Sequence, residues 1–219
     1  DELDNTHLTT DYLQVRMKAI FETLEILHTD TLGGELFITP VGSNRILKVE
    51  EVNITYDGVS QKAYRCYFLG EQDGSKVENK WKVGDQARSK SFNLTAGKYH
   101  NVGNHYYWRL VIGVSSEAVE IDGKKYHYVD LSDIDKDAAS DEPMVDDILN
   151  QCGNRTDITR QSCLVFSAVD TYSPCITLYH GVDGYTFNNK EYVNYGVNHS
   201  TNKAFFHVYG DMYFGDRPT

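Results

Sequence analysis

Apolar and polar positions alternate along most of this chain, and the alternation is clearest in residues 81–113. A turn at Val83-Gly84-Asp85 opens a run in which Gln86, Arg88 and Lys90 share one face and Ala87, Ser89 and Ser91 the other. A period of two predicts a strand, with the first set toward water and the second inward. Phe92-Asn93 closes it. Beyond a polar bridge containing Gly97 and Gly103, a second strand places Tyr106, Trp108, Leu110 and Ile112 on one face and Tyr107, Arg109 and Val111 on the other.

The same period recurs on both sides of this stretch. Residues 46–56 and 62–69 read as strands joined by Asp57-Gly58, a hairpin-type turn, with Tyr64, Cys66 and Phe68 on one face. Asp73-Gly74 makes the next turn, and residues 118–121 and 126–131 form another predicted hairpin around Asp122-Gly123. Later, Cys163-Leu164-Val165-Phe166 and Ile176-Thr177-Leu178-Tyr179 are strand cores flanking a turn at Ser173-Pro174. After Asp183-Gly184, residues 191–197 and 204–209 complete a strand-after-strand order with no convincing βαβ unit.

Near the start, Leu36-Phe37-Ile38-Thr39 is a short strand closed by Pro40. Upstream of Gly33-Gly34, Leu13, Met17, Ile20, Leu24 and Leu27 recur at helical spacing, yet Leu13, Val15 and Met17 also alternate as in a strand. Residues 12–28 therefore stay open between helix and strand, and their apolar stripe between core and a seam for self-association. The fold class expected is mainly β: two small antiparallel β modules, barrel- or sandwich-like, after an N-terminal segment with room for one short helix. The divisions expected are an N-terminal segment 1–44, a first β module 45–132, an acidic linker 133–147, a second β module 148–209, and the start of a downstream region at 210–219.

Composition narrows the function. A chain of 219 residues with 40% hydrophobic and 24% charged residues is long enough, and apolar enough, to bury a core. Its 16 Tyr against 9 Phe and 2 Trp suit half-buried strands and contact surfaces, since Tyr joins a flat apolar body to a polar tip. A net charge of −11 would repel a phosphate backbone, so no nucleic-acid partner is expected. No stretch approaches the roughly 20 apolar residues that span a bilayer, and no membrane insertion is expected. Opening on Asp1 and stopping at Asp216-Arg217-Pro218-Thr219 suggests a piece of a longer polypeptide. Cys66, Cys152, Cys163 and Cys175 have neither metal-site spacing nor the density of a disulfide scaffold, and are expected as free buried thiols.

Candidate chemistry is sparse. In the acidic stretch 130–147, Asp133, Asp135 and Asp137 have the spacing of the first ligands of a calcium loop, but the turn glycine and the closing Glu are missing from their positions, which leaves a solvated linker as the default. The eight histidines are scattered, none in an i,i+4 pair on a credible helix. There is no GxSxG elbow, no HExxH, no phosphate-binding loop and no dinucleotide fingerprint, so no catalytic residue, cofactor or metal ligand is assigned. A weak internal echo links Val83-Gly84-Asp85-Gln86 to Val145-Asp146-Asp147-Ile148, the latter just before Gly153-Asn154-Arg155.

Longer phrases carry a resemblance. Asp11-Tyr12-Leu13-Gln14-Val15-Arg16, Val83-Gly84-Asp85-Gln86-Ala87-Arg88, Tyr106-Tyr107-Trp108-Arg109, Tyr128-Val129-Asp130-Leu131-Ser132 and Ser140-Asp141-Glu142-Pro143 follow one another along the chain. Gly153-Asn154-Arg155-Thr156-Asp157 with Arg160-Gln161, and Val208-Tyr209-Gly210-Asp211 running on to Arg217, complete the set. In this order they resemble a large phage or prophage tail protein (minor structural, tail-tip or fibre) of Bacteroides-type gut bacteria. Met17, Ser89 and Asp146 depart from the pattern, standing where a Gly, a Cys and a Gly-Asp turn are usual.

The resemblance implies a non-enzymatic structural module of the virion tail, a rigid spacer or assembly unit near the host-facing end. Its partners would be other copies, often as trimers, and other tail proteins. The alternative is a receptor-binding module that recognises a host surface glycan or protein, with Tyr106, Tyr107, Trp108, Tyr185, Tyr192 and Tyr195 as candidate stacking residues. A cell-wall or capsule hydrolase is the third reading and requires two carboxylates or a metal triad converging in a cleft.

Overall fold

Two Asp-Gly turns set the frame. Asp57 and Gly58 both take positive φ, 49° and 76°, and so do Asp122 and Gly123, 50° and 73°. This is the mirror-image turn whose twist matches that of the strands it joins. The computed structural model describes residues 34–41, 43–72, 75–90, 105–168 and 170–212. The expectations for the N-terminal stripe, the Asp73-Gly74 turn, and Phe92-Asn93 with its polar bridge lie outside the described residues, as does the run after Met212.

The strands are β1 (Glu35–Ile38), β2 (Ser43–Arg45), β3 (Lys48–Tyr56), β4 (Val59–Leu69), β5 (Glu71–Gln72), β6 (Ser75–Lys76), β7 (Asp85–Lys90) and β8 (Tyr106–Val114). They continue with β9 (Val119–Ile121), β10 (Lys124–Lys136), β11 (Ile148–Asn154), β12 (Cys163–Ser167), β13 (Cys175–Tyr179), β14 (Glu191–Asn198) and β15 (Lys203–Val208). Among the described residues the only helix is one 3-10 turn, Ile158–Arg160. The protein is mainly β, built on two antiparallel sheets. The larger runs β2-β11-β7-β8-β10-β4-β3, with β9 on β10; the smaller runs β1-β12-β13-β14-β15.

The edges of the large sheet, β2 and β3, are joined by Ile46 and Leu47. Ile46 N donates to Asp147 O at 2.9 Å and Leu47 N to Tyr67 O at 2.7 Å, so the sheet curls round on itself without closing into a barrel. Inside the curl lies a core of Ile46, Tyr64, Cys66, Phe68, Trp81, Ala87, Tyr107, Val111, Val129, Leu131 and Leu149. A second core lies between the sheets, where Trp108 and Cys152 of the large sheet meet Cys163, Val165 and Tyr179 of the small one.

This arrangement corrects several expectations. Gln86 and Arg88 do not face water: they are 0% and 8% exposed, because one face of β7 looks into the curl and the other toward the small sheet. Nor do the sheets follow one another along the chain. β11 pairs with β7 and β2 in the large sheet, and β1 pairs with β12 in the small one, so the chain passes from one sheet to the other and back. The stretch expected as an acidic linker begins inside β10, and its Asp147 is buried. Strand pairing depends on partners distant in sequence, and the polarity of an intervening stretch does not report them.

Buried charges tie the elements together. Asp85, fully buried at the head of β7, accepts from Arg160 Nε at 2.8 Å, from Arg160 Nη2, from Asn154 Nδ2 at 2.9 Å and from the Lys82 amide at 2.8 Å. Gly84, at φ +92°, lies against the Asn154 side chain, and its carbonyl accepts from Arg155 N at 2.8 Å. Asn154 N donates to Val182 O, and Val182 N to Gln161 O, both at 3.1 Å. Two of the sequence phrases, Val83-Gly84-Asp85 and the run from Gly153 to Gln161, are therefore the two halves of one knot. Elsewhere Asp130 takes a bidentate pair from Arg65, whose guanidinium lies 4.0 Å from the Tyr128 ring centre, and a side chain on Gly113 would run into that carboxylate. Arg88 donates to Glu35 Oε2 at 3.3 Å, joining β7 to β1 across the two sheets, with the rings of Phe37, Tyr106, Trp108 and Phe187 around it.

Removing one partner of a buried pair strands the other. Asp85→Ala is expected to cost about 3–5 kcal/mol in urea unfolding, and Asp85→Ala with Arg160→Met less than the sum of the single changes. An additive pair would show that the contact contributes nothing. All four cysteines are buried and unpaired, and burial pushes the Cys66 and Cys152 thiols far up and that of Cys163 to about 12. In the native protein thiol labelling at pH 8 is therefore expected to wait on unfolding; fast stoichiometric labelling without denaturant would contradict this burial.

Candidate interaction surface

The small sheet has two unlike faces. Its ladders place Phe37, Val165, Thr177, Asn194 and His207 in one row across the five strands. At β1, β12 and β13 this face packs on the large sheet; at β14 and β15 it carries Asn194 and His207, and beside them Gly196 and Phe205 lie against Tyr172. The opposite, outer face stays apolar from edge to edge. One row is Leu36, Phe166, Ile176, Tyr195 and Phe206, each directly opposite the next. The adjoining row is Ile38, Leu164, Leu178, Val193 and Val208. None of these side chains is charged.

The first row stands out into solvent: Leu36 is 57% exposed, Phe166 39%, Ile176 36%, Tyr195 52% and Phe206 57%. In the second row Ile38 is 54% exposed, while Leu164, Leu178, Val193 and Val208 are half-buried and leave a lower aliphatic groove beside the ridge from β12 to β15. Strands about 4.8 Å apart and rows about 6.8 Å apart give roughly 300 Å² of bare apolar sheet. Covering it is worth about 7 kcal/mol at 25 cal/mol/Å² before association costs. Single exposed apolar residues are ordinary, whereas a contiguous face of a few hundred Å² is of the size of a monomer's largest apolar patch, which is often functional. The sequence carries its signal in β12, where Cys163, Leu164, Val165 and Phe166 are apolar at both parities. Such a run belongs to a strand covered on both faces.

Of the aromatic residues proposed to stack on a glycan, most are not available. Tyr107 is fully buried in the curl, and Trp108 is 3% exposed between the sheets, 4.8 Å from Phe187. Tyr106 is half-buried and its hydroxyl donates to Asp137 at 2.6 Å. The Tyr185 hydroxyl is bound to Asp135, also at 2.6 Å. Tyr107 and Trp108 fail as stacking residues because β8 is central to its sheet and covered on both sides, whereas Tyr106 and Tyr185 are partly buried with their hydroxyls already engaged. Tyr192 and Tyr195 are exposed. Tyr195 lies in the apolar ridge; Tyr192 sits where β13 and β14 slip register, beside a shallow pocket shared with Asn189, Glu191 and Tyr209.

Asp133, Asp135 and Asp137 do not converge. Asp133 meets Lys136 and Arg109, Asp137 accepts from Tyr106, and Asp135 takes both Arg155 nitrogens and the Tyr185 hydroxyl. Among the described residues no group of three His, Cys, Asp or Glu side chains is placed to hold a metal. A cleft of about 600 Å³ is lined by Lys76, Glu78, Asn79, Glu117, Lys125 and His127. At its floor His127 Nε2 donates to the Val77 carbonyl at 2.8 Å, leaving Nδ1 to accept from Ser115 at 3.0 Å. Ser115 is 5% exposed and its hydroxyl already accepts from Tyr128 N and Asn79 Nδ2, so it brackets three segments together. A second Ser–His contact, Ser162 with His180 at 2.6 Å, stands beside Tyr192.

No protein-family model, no curated protein and no solved structure matches the chain.

Partial burial works against the charge of Asp135, but the Arg155 guanidinium and the Tyr185 hydroxyl outweigh it and hold the carboxyl below its ordinary range. Asp133 is held low in the same sense by Lys136 and Arg109. A carboxylate with a depressed folded pKa stabilises the fold above the unfolded value of about 4, and that stability is lost as pH falls through the folded value. The urea midpoint is accordingly expected to fall below pH 4, and to fall less in Asp135→Asn. For a partly exposed pair the difference is at most about 1 kcal/mol; identical acid profiles would remove Asp135 from the account.

Proposed function

We propose that this chain is a non-enzymatic structural module of a phage tail protein, a rigid β unit that assembles through the outer face of its small sheet. The observation that carries the reading is the pair of uncharged apolar rows crossing all five strands on that face, one of them standing out into solvent. Rigidity comes from buried ion pairs that tie loops and sheets together, chiefly Asp85 with Arg160 and Arg88 with Glu35. Such a unit needs no cofactor: its function is to hold a shape and present a contact face. The resemblance of its sequence phrases to tail proteins supports this reading, in which the module belongs to the virion tail.

A receptor-binding role keeps one observation in its favour. Tyr192 and Tyr209 are 44% and 67% exposed beside the shallow pocket of Asn189 and Glu191, a pairing of aromatic surface and polar groups that suits a sugar ring. Binding to a glycan array that is lost in Tyr192→Ala and kept in Tyr195→Asp would favour that role.

The structural reading is tested by light scattering coupled to size exclusion. The wild-type chain is expected to self-associate at tens of micromolar, and Tyr195→Asp, which puts a charge on the ridge without touching either core, to run as a monomer with an unchanged unfolding midpoint. A wild-type chain monomeric at every concentration would overturn the reading.

A further inference from the structure

From the relief of the outer face we infer that its occupant is the same face of a second copy, the two small sheets packed face to face about a two-fold axis that runs across the strands between the two rows. This rests on the structural reading above and adds the partner and the register. The argument begins with width. Apolar positions run from Leu36 on β1 to Phe206 on β15, so the occupant must cover the whole sheet; a strand added at one edge would leave nearly all of it bare. A sheet packed flat on a sheet covers it, at the spacing of about 10 Å common to β-sandwiches.

Relief then selects the partner. The ridge carries the large residues Phe166, Tyr195 and Phe206, and the groove beside it, on the same three strands, the smaller Leu164, Val193 and Val208. A two-fold axis between the rows lays each ridge into the other copy's groove. Phe166 then faces the second copy's Leu164, Tyr195 its Val193, and Phe206 its Val208, each contact occurring twice as an isologous interface requires. Large against small is also how facing core layers interdigitate.

Charge points the same way. At a net −11, two copies repel unless they meet through neutral surface, and neither row contains a charged residue. The area is modest: roughly 300 Å² of flat sheet per copy lies below the ~800 Å² typical of a stable partner. The pair is therefore expected to exchange with monomer at micromolar concentrations, and to tighten with added salt as the repulsion is screened.

The register is tested by a charge swap read in light scattering. Tyr195→Asp and Val193→Lys, each alone, are expected to run as monomers, since each places a charge against an apolar side chain of its partner. Mixed in equal amounts, they are expected to recover half or more of the wild-type dimer at low salt, because Asp at 195 of one chain faces Lys at 193 of the other, while the remaining contact in the pair is wild type. Unchanged circular dichroism and unfolding midpoints show that both variants fold; a variant that does not fold is replaced by the equivalent pair on β15, Phe206→Asp and Val208→Lys. A wild-type dimer that the single substitutions leave intact, a mixture that stays monomeric, or open-ended aggregates instead of a dimer would each overturn this register while leaving self-association standing. A wild-type monomer at all concentrations would remove both.

Discussion

The structure turns on one buried carboxylate. Asp85 is fully enclosed, and four donors converge on it: both arms of Arg160, the Asn154 amide and the Lys82 backbone. A lone charge in that position would cost several kcal/mol, so the site is tenable only with every acceptor position filled. Its donors come from the loop before β7, the end of β11 and the 3-10 turn before β12. Satisfying one carboxylate therefore fixes how the chain leaves the large sheet and enters the small one. Gly84 supplies the left-handed turn, φ +92°, by which the chain enters β7 beside Asn154.

From that knot the rest of the packing follows. With β11 and the turn after it held against β7, the small sheet lies over Trp108 and Cys152, and the clamp of Arg88 to Glu35 fixes its first strand. The small sheet is wider than the surface it covers. At β14 and β15 the inner face carries Asn194 and His207 together with Gly196 and Phe205, which lie against Tyr172, while the outer face carries Tyr195 and Phe206.

The acidic stretch shows how tertiary context redirects charge. Read by composition it is a solvated connection; in the fold its carboxylates hold Arg65, Arg109, Arg155 and the hydroxyls of Tyr106 and Tyr185. Much of the chain's negative charge thus serves internal ties.

Local physics determined what could be read from the sequence alone. The period of two, the Asp57-Gly58 and Asp122-Gly123 turns and the absence of helical crossovers specify antiparallel strands close to their observed ends, since a strand's pleat and a turn's φ angles depend on neighbours within a few residues. The phrases around Gly84-Asp85 and Gly153-Asn154 were visible as motifs, but that they grip each other was not. Only the tertiary structure decided which strands share a sheet, that both faces of β7 and β8 are covered, that Tyr107 and Trp108 are core while Tyr195 is surface, and that ten apolar side chains align in two rows. Each of these depends on pairing between residues far apart in the chain, and a one-residue change of register would turn every one of those side chains to the opposite face.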